Sequence, residues 1–232
     1  MNITTIDDTQ RKAAKVAGLA YLITFIVVVF ANFGIHDRLN VTGDAAGTAR
    51  KILEHESLFR LGIVLDLVYC IGIVALIAAL YVIFRPVSQH LALLATFLRL
   101  VFVIAWFVMT LQLFDVLRLL HAADYLRVFE AGRLQALAKM YLAARFDRYY
   151  GGLLFYGLST TVTSYLFYKS RYIPRAFAAI GVASCAWCAF CALVFLLVPG
   201  FSNVVNLWWF DTPMGLFEIA ASFWLLFRGL RQ

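Results

Sequence analysis

Six apolar runs dominate this chain, over residues 16–35, 61–84, 91–117, 149–168, 176–198 and 213–227. Most approach the roughly 20 residues that a helix needs to cross a hydrocarbon core of about 30 Å. In lipid, backbone groups have no water to bond, so each run must pair within its own segment, which selects helices. Hydrophobic residues make up 63% of the sequence and charged residues 14%. A soluble domain holds nearer half and a quarter, and has no core that could hide this much apolar surface. The expected fold is therefore all-α: a polytopic membrane protein, a six-transmembrane-helix bundle forming a single integral membrane domain over residues 1–232. The first run follows Arg11, Lys12 and Lys15 in the manner of a signal peptide. It is too long for that and lacks a small-residue cleavage site, so a retained first span is expected.

The net charge of +7 follows the ends of these runs and forms no patch interleaved with aromatics. Nucleic acid is excluded on that ground, and membrane lipids are the expected partners. The turns at residues 85–90 and 169–175 carry Arg85, Lys169, Arg171 and Arg175 and no acid, and the chain ends add Arg11, Lys12, Lys15, Arg228 and Arg231. By the positive-inside rule both termini face the cytoplasm, and the expected location is a bacterial inner membrane. The other side carries longer, mixed-charge segments. Residues 42–57 read as a short helix with Asp44 as N-cap and Ala49, Ile52 and Leu53 as its apolar face. Residues 123–145 read as a second amphipathic helix with Leu126, Phe129, Leu134, Leu137 and Tyr141 on one side and Arg127, Glu130, Arg133 and Lys139 on the other. Both are expected to cap the bundle or lie in the headgroup plane. Residues 199–211 bring Trp208, Trp209 and Phe210 to the interface.

Several short stretches carry a resemblance. They are Ala17-Gly18-Leu19-Ala20-Tyr21-Leu22, Gly43-Asp44-Ala45-Ala46, Leu58-Phe59-Arg60-Leu61-Gly62, and Leu80-Tyr81 followed by Phe84-Arg85-Pro86-Val87. Further along come Arg99-Leu100, Leu154-Phe155-Tyr156-Gly157, the turn Ser170-Arg171-Tyr172-Ile173-Pro174-Arg175, and Pro213 and Glu218 with Trp224-Leu225-Leu226 and Gly229. In these the chain resembles bacterial membrane proteins of the domain of unknown function 4386 family, along nearly its whole length. It departs from the family pattern at Phe102, where an acid is expected after the third-span Arg. It departs again at Phe146-Asp147-Arg148, where a His is expected. The resemblance implies the six-span architecture and no activity.

Ionisable groups inside a membrane are expensive and are functional candidates by default. Asp66 lies about 8 Å inside the second run and Glu218 about as deep in the sixth, with Gln112 level in the third. Gln112, Asp115 and Arg118 share one helix face, and Arg60 stands level with Arg118. The sixth run aligns Asp211, Gly215, Glu218 and Ser222, and the fourth aligns Tyr149, Gly152, Tyr156, Ser159 and Thr163. Together these predict an outward-facing polar cavity in which Asp66 and Glu218 meet, with Arg60, Arg118 or Arg148 offsetting their charge. The competing reading is ion pairing that only holds the bundle together. Arg99, about 12 Å in from the cytoplasmic end of the third run, is expected to snorkel to the inner headgroups or to bind a lipid phosphate.

Cys185, Cys188 and Cys191 recur every third residue in the fifth run without a companion His or acid. With Ala178, Gly181 and Ala192 they read as a small-residue packing seam. His36, His55 and His121 lie near Asp37, Glu56 and Asp124 in no recognised zinc spacing, so neither metal nor cofactor is expected. No phosphate loop, Ser-His-Asp order or H-E-x-x-H occurs. Three functions remain. The first is non-catalytic binding of a lipid or other amphipathic small molecule, or service to a membrane partner, with homo-oligomerisation open. The second is a small transporter or channel coupled through Asp66 and Glu218, and the third an intramembrane enzyme using them as paired carboxylates.

Overall fold

A computed structural model describes residues 6–122, 126, 128–198 and 200–231, leaving aside the side chains of Phe146, Ser202, Leu207 and Trp208. Among the described residues every regular element is helical. Helix α1, Asp8–Val29, opens on a capping box: the Gln10 amide donates to Asp7 Oδ1 at 2.6 Å and the Asp7 amide to Gln10 Oε1 at 3.2 Å. It widens into a π-helical segment, Phe30–His36, and closes in a short turn of helix, α2, Asp37–Leu39. Helix α3, Ala45–Glu54, is capped by Asp44, whose Oδ1 accepts from the Gly47 amide at 2.8 Å. Helices α4, Glu56–Phe84, and α5, Gln89–Leu120, are long and apolar. Helix α6 runs unbroken over Ala131–Ser170. Helices α7, Arg175–Leu197, α8, Leu207–Phe210, and α9, Thr212–Phe227, complete the chain.

Asp8–Leu39, Glu56–Phe84, Gln89–Leu120 and Arg175–Leu197 are long and apolar enough to cross a membrane, and Thr212–Phe227 is apolar but shorter. Large apolar residues such as Phe97, Ile104, Ile71 and Ile180 point outward on these helices. This exterior suits lipid and is consistent with a membrane protein.

One expectation fails at α6. The sequence suggested an amphipathic helix at 123–145 and a separate span at 149–168; the two are one helix from Ala131. Nothing between Ala143 and Arg148 breaks a helix, so the backbone continues. Its buried face there is Leu134 and Ala138, while Leu137 is exposed, as are Phe129 before the helix and Leu53 on α3. The start of that segment, including Asp124 and Arg127, lies outside the described residues, as do Pro199 and the Trp208 side chain.

The chain divides into two compact units. Unit one comprises Met1–Phe25, Ile71–Ile104 and Tyr150–Gln232. Small residues let its helices approach closely. A Cβ on Gly18 of α1 would stand 2.8 Å from the Ser222 carbonyl oxygen of α9, and one on Gly157 of α6 would stand 3.0 Å from the Ala189 amide nitrogen of α7. Ala178, Gly181, Cys185, Cys188, Cys191 and Ala192 of α7 are all buried, and the cysteines are free thiols, as a packing seam requires. At one end of this unit Gln10 Nε2 donates to the Ile83 carbonyl and to Tyr172 Oη, both at 3.1 Å. The start of α1 is thereby tied to the end of α4 and to the turn after α6. In that turn Arg171 adopts a left-handed φ of 62°.

Unit two comprises Ile26–Cys70 and Ala105–Tyr149. Its core gathers Ile35, Leu39, Ile52, Phe59, Ile63, Leu113, Val116, Leu117 and Ala138. Lys139 of α6 ties down the α2–α3 connection. Its Nζ donates to Asn40 Oδ1, to the Val41 carbonyl at 2.7 Å and to Thr48 Oγ1 at 3.1 Å.

Candidate functional site

In unit one the centre is Arg99 of α5. Its side chain is only 1% exposed, so it does not snorkel. The neighbouring helices supply enough polar groups to hold it inside. Nη1 donates to Tyr21 Oη at 3.3 Å and Nη2 to Thr160 Oγ1 at 2.9 Å. The guanidinium carbon lies 5.0 Å from the Tyr156 ring centroid and 5.8 Å from that of Tyr21, within cation–π range. Tyr156 Oη donates to Glu218 Oε1 at 2.8 Å, so the carboxylate of α9 balances the guanidinium from across the phenol ring. No described carboxylate lies within ion-pair distance of Arg99. Its Nε is buried and unbonded.

Arg99 borders a narrow, half-open cleft. Ile77, Leu80, Phe84 and Leu166 give it apolar walls, and Thr96 and Tyr81 line it as well. Ser159 and Thr163 also line it, but their hydroxyls donate to the Ala95 and Ser159 carbonyls. Ser222, placed by the sequence in the same cavity as Glu218, is fully buried and bonds the Ile219 carbonyl of its own helix.

In unit two the centre is Asp66 of α4, with no exposed surface. His36 Nε2 lies 3.1 Å and Arg145 Nη2 3.0 Å from the same oxygen, Oδ2. Bridged by Arg145, Asp66 is a carboxylate and only accepts, so His36 carries its proton on Nε2. Asp66 Oδ1, His36 Nδ1 and Gln112 Oε1 are buried without partners. Burial pulls the Arg145 pKa down, opposed by Asp66 and then Asp37. A guanidinium nevertheless stays cationic in a protein. The expected rim cations are engaged elsewhere: Arg60 bridges Glu56 at 2.6 Å and Arg118 bridges Asp115 at 3.1 Å, both exposed pairs. His121 also reaches Glu56, at 2.9 Å. Among the described residues no three His, Cys, Asp or Glu side chains converge as metal ligands.

The sequence reading thus picked Arg99, Asp66, Glu218, Tyr156 and Gln112 but missed Tyr21, Thr160, His36 and Arg145 as partners. His36 carries a partial signal, since it is an ionisable residue directly after the first run, on the same side as the end of the second run that holds Asp66. Arg145 has none, because its position in the sequence fits the end of the loop-side amphipathic segment 123–145.

The family model described as Domain of unknown function (DUF4386) matches residues 16–229. The chain belongs to this family. No curated protein and no solved structure matches it. In this DUF4386 member, Tyr21, Arg99, Tyr156 and Glu218 come from four different stretches that carried the resemblance. They meet around one guanidinium, with Gly18 packing α1 onto α9 beside them.

Proposed function

We propose that this DUF4386 protein spans the cytoplasmic membrane six times with both termini inside, and that it binds an amphipathic molecule with an anionic head in the Arg99 cleft. The observation that carries the reading is a fully buried arginine without an acid at ion-pair distance, bordering an apolar-walled opening. A buried cation normally has a carboxylate in direct contact. Here Glu218 stands one tyrosine away, and the Nε–H has no acceptor. A carboxylate or phosphate head would take up that donor, and its chain would lie along Ile77, Leu80 and Phe84. For the six spans, the fourth is carried by the C-terminal half of α6 and the sixth by α9, despite its length. The tie from Gln10 to the ends of α4 and α6 supports one common face for the N-terminus and both basic turns.

The experiment is native mass spectrometry of the detergent-solubilised protein titrated with oleate and with a lysophosphatidic acid. One molecule of either should bind per chain. Losing one charge-assisted hydrogen bond of about 1.5–3 kcal/mol should weaken binding by about 10–100-fold in Arg99→Gln. Arg118→Gln, on an exposed pair, should bind as the wild type does. Equal binding by a folded Arg99→Gln protein refutes the reading.

A further inference from the structure

The Asp66 cluster is built at a cost that holding two helices together would not require. The π-helical segment Phe30–His36 ends on His36, and such segments concentrate at functional sites. The facing helix is cut back to make room. A Cβ on Gly62 would stand 2.9 Å from His36 Cε1. Phe59 packs edge-on to the imidazole, with centroids 6.1 Å apart. The ring is therefore fixed by a floor, a wall and a hydrogen bond, with its Nδ1 lone pair buried and unbonded. One nitrogen and one oxygen are too few for zinc, which takes four ligands. The occupant that suits a lone pair in so confined a place is a proton.

We propose that the His36–Asp66–Arg145 cluster is a proton-binding site: His36 Nδ1 takes up one proton from water, and Arg145 then releases Asp66. In the resting state Asp66 and Arg145 form one closed ion pair and the imidazole is neutral. Loading sets a second cation against the one carboxylate, whose Oδ2 His36 and Arg145 already share at 3.1 and 3.0 Å. His36 and Arg145 are similarly covered, at 9% and 13% exposed, and the longer, more flexible arginine is the partner that leaves. Water following it supplies the acceptor for the new Nδ1–H. The charged groups around the ring are few. They are Asp66 of α4, Asp37 of α2 and Arg145 of α6. On α5 Asp115 and Arg118 pair with each other, and at the start of α4 Glu56 is held by Arg60 and His121. Proton uptake at the π-helical segment thus loosens the bridge that joins α6 to α4. The inference stands apart from the Arg99 cleft, whose residues it does not use.

The test uses the full chain in lipid nanodiscs with ¹⁵N-labelled histidine, the His36 signals being assigned by their loss in His36→Gln. The wild type should show a neutral ring protonated on Nε2 at mildly alkaline pH and on both nitrogens at mildly acidic pH. Over the same range, amide exchange across residues 139–149, corrected for intrinsic rates, should rise several-fold. In His36→Gln, whose amide still donates to Asp66 but takes no proton, that rise should disappear. Ring nitrogens that do not titrate, or an equal rise in His36→Gln, overturn the proposal. If His36→Gln does not fold, the wild-type nitrogen and exchange midpoints must coincide, and separate midpoints overturn it.

Discussion

Replacing Gly18 and Gly215 by alanine makes the same chemical change in two helices of unit one and should give opposite results. At Gly18 an added Cβ would stand 2.8 Å from Leu226 Cγ, 2.8 Å from the Ser222 carbonyl oxygen and 3.1 Å from the Leu226 amide nitrogen. Two of these atoms are backbone of α9 and cannot rotate away, so α1 and α9 must move apart. Overpacking of this kind costs about 1–3 kcal/mol. At Gly215 no atom lies within 4 Å of the added carbon. Alanine there gains only the helix preference, about 0.5–1 kcal/mol, which also offsets part of the cost at Gly18. The net change at Gly18 is then a loss of up to about 2.5 kcal/mol. At about 2–4 °C per kcal/mol for a chain of this length, Gly18→Ala should melt several degrees lower and Gly215→Ala about 1–4 °C higher. Thermal unfolding in detergent micelles, followed by tryptophan fluorescence, reads both. A Gly18→Ala protein that melts with or above Gly215→Ala would refute the close packing of α1 on α9.

Other perturbations probe the remaining contacts. Lys139→Met removes the donors to Asn40, the Val41 carbonyl and Thr48; it should cost about 1–3 kcal/mol and speed amide exchange in α3, and unchanged exchange would count against the tie. Arg145→Met leaves Asp66 buried with His36 alone and should destabilise by about 3–5 kcal/mol, measured by denaturant-induced unfolding. Tyr156→Phe deletes the donor to Glu218 and should lower stability by about 1.5–3 kcal/mol, without effect if the carboxylate is satisfied elsewhere. Changing Cys185, Cys188 and Cys191 together to Ala should leave the fold intact, and a maleimide should label the wild-type thiols only after unfolding; labelling of the native protein would contradict their burial.

The apolar runs by themselves determined that this chain is helical and where most helices lie. Hydrophobic length and missing breakers act locally, and a helix closes its hydrogen bonds within itself. The Asp44 cap and the cysteine seam were legible for the same reason, because each depends on residues a few positions apart. The same local logic picked out Arg99, Asp66 and Glu218 as costly charges. Their partners were another matter. Tyr21 reaches Arg99 across 78 positions and Arg145 reaches Asp66 across 79. Such pairings depend on how each helix is rotated about its axis, which periodicity leaves free. The π-helical segment ending at His36 shifts that rotation again, and no residue in Phe30–His36 announces it. Whether Arg99 reaches for headgroups or stays inside was likewise decided by tertiary structure. A guanidinium snorkels when the interior offers nothing, and here two tyrosines and a threonine from neighbouring helices hold it in place.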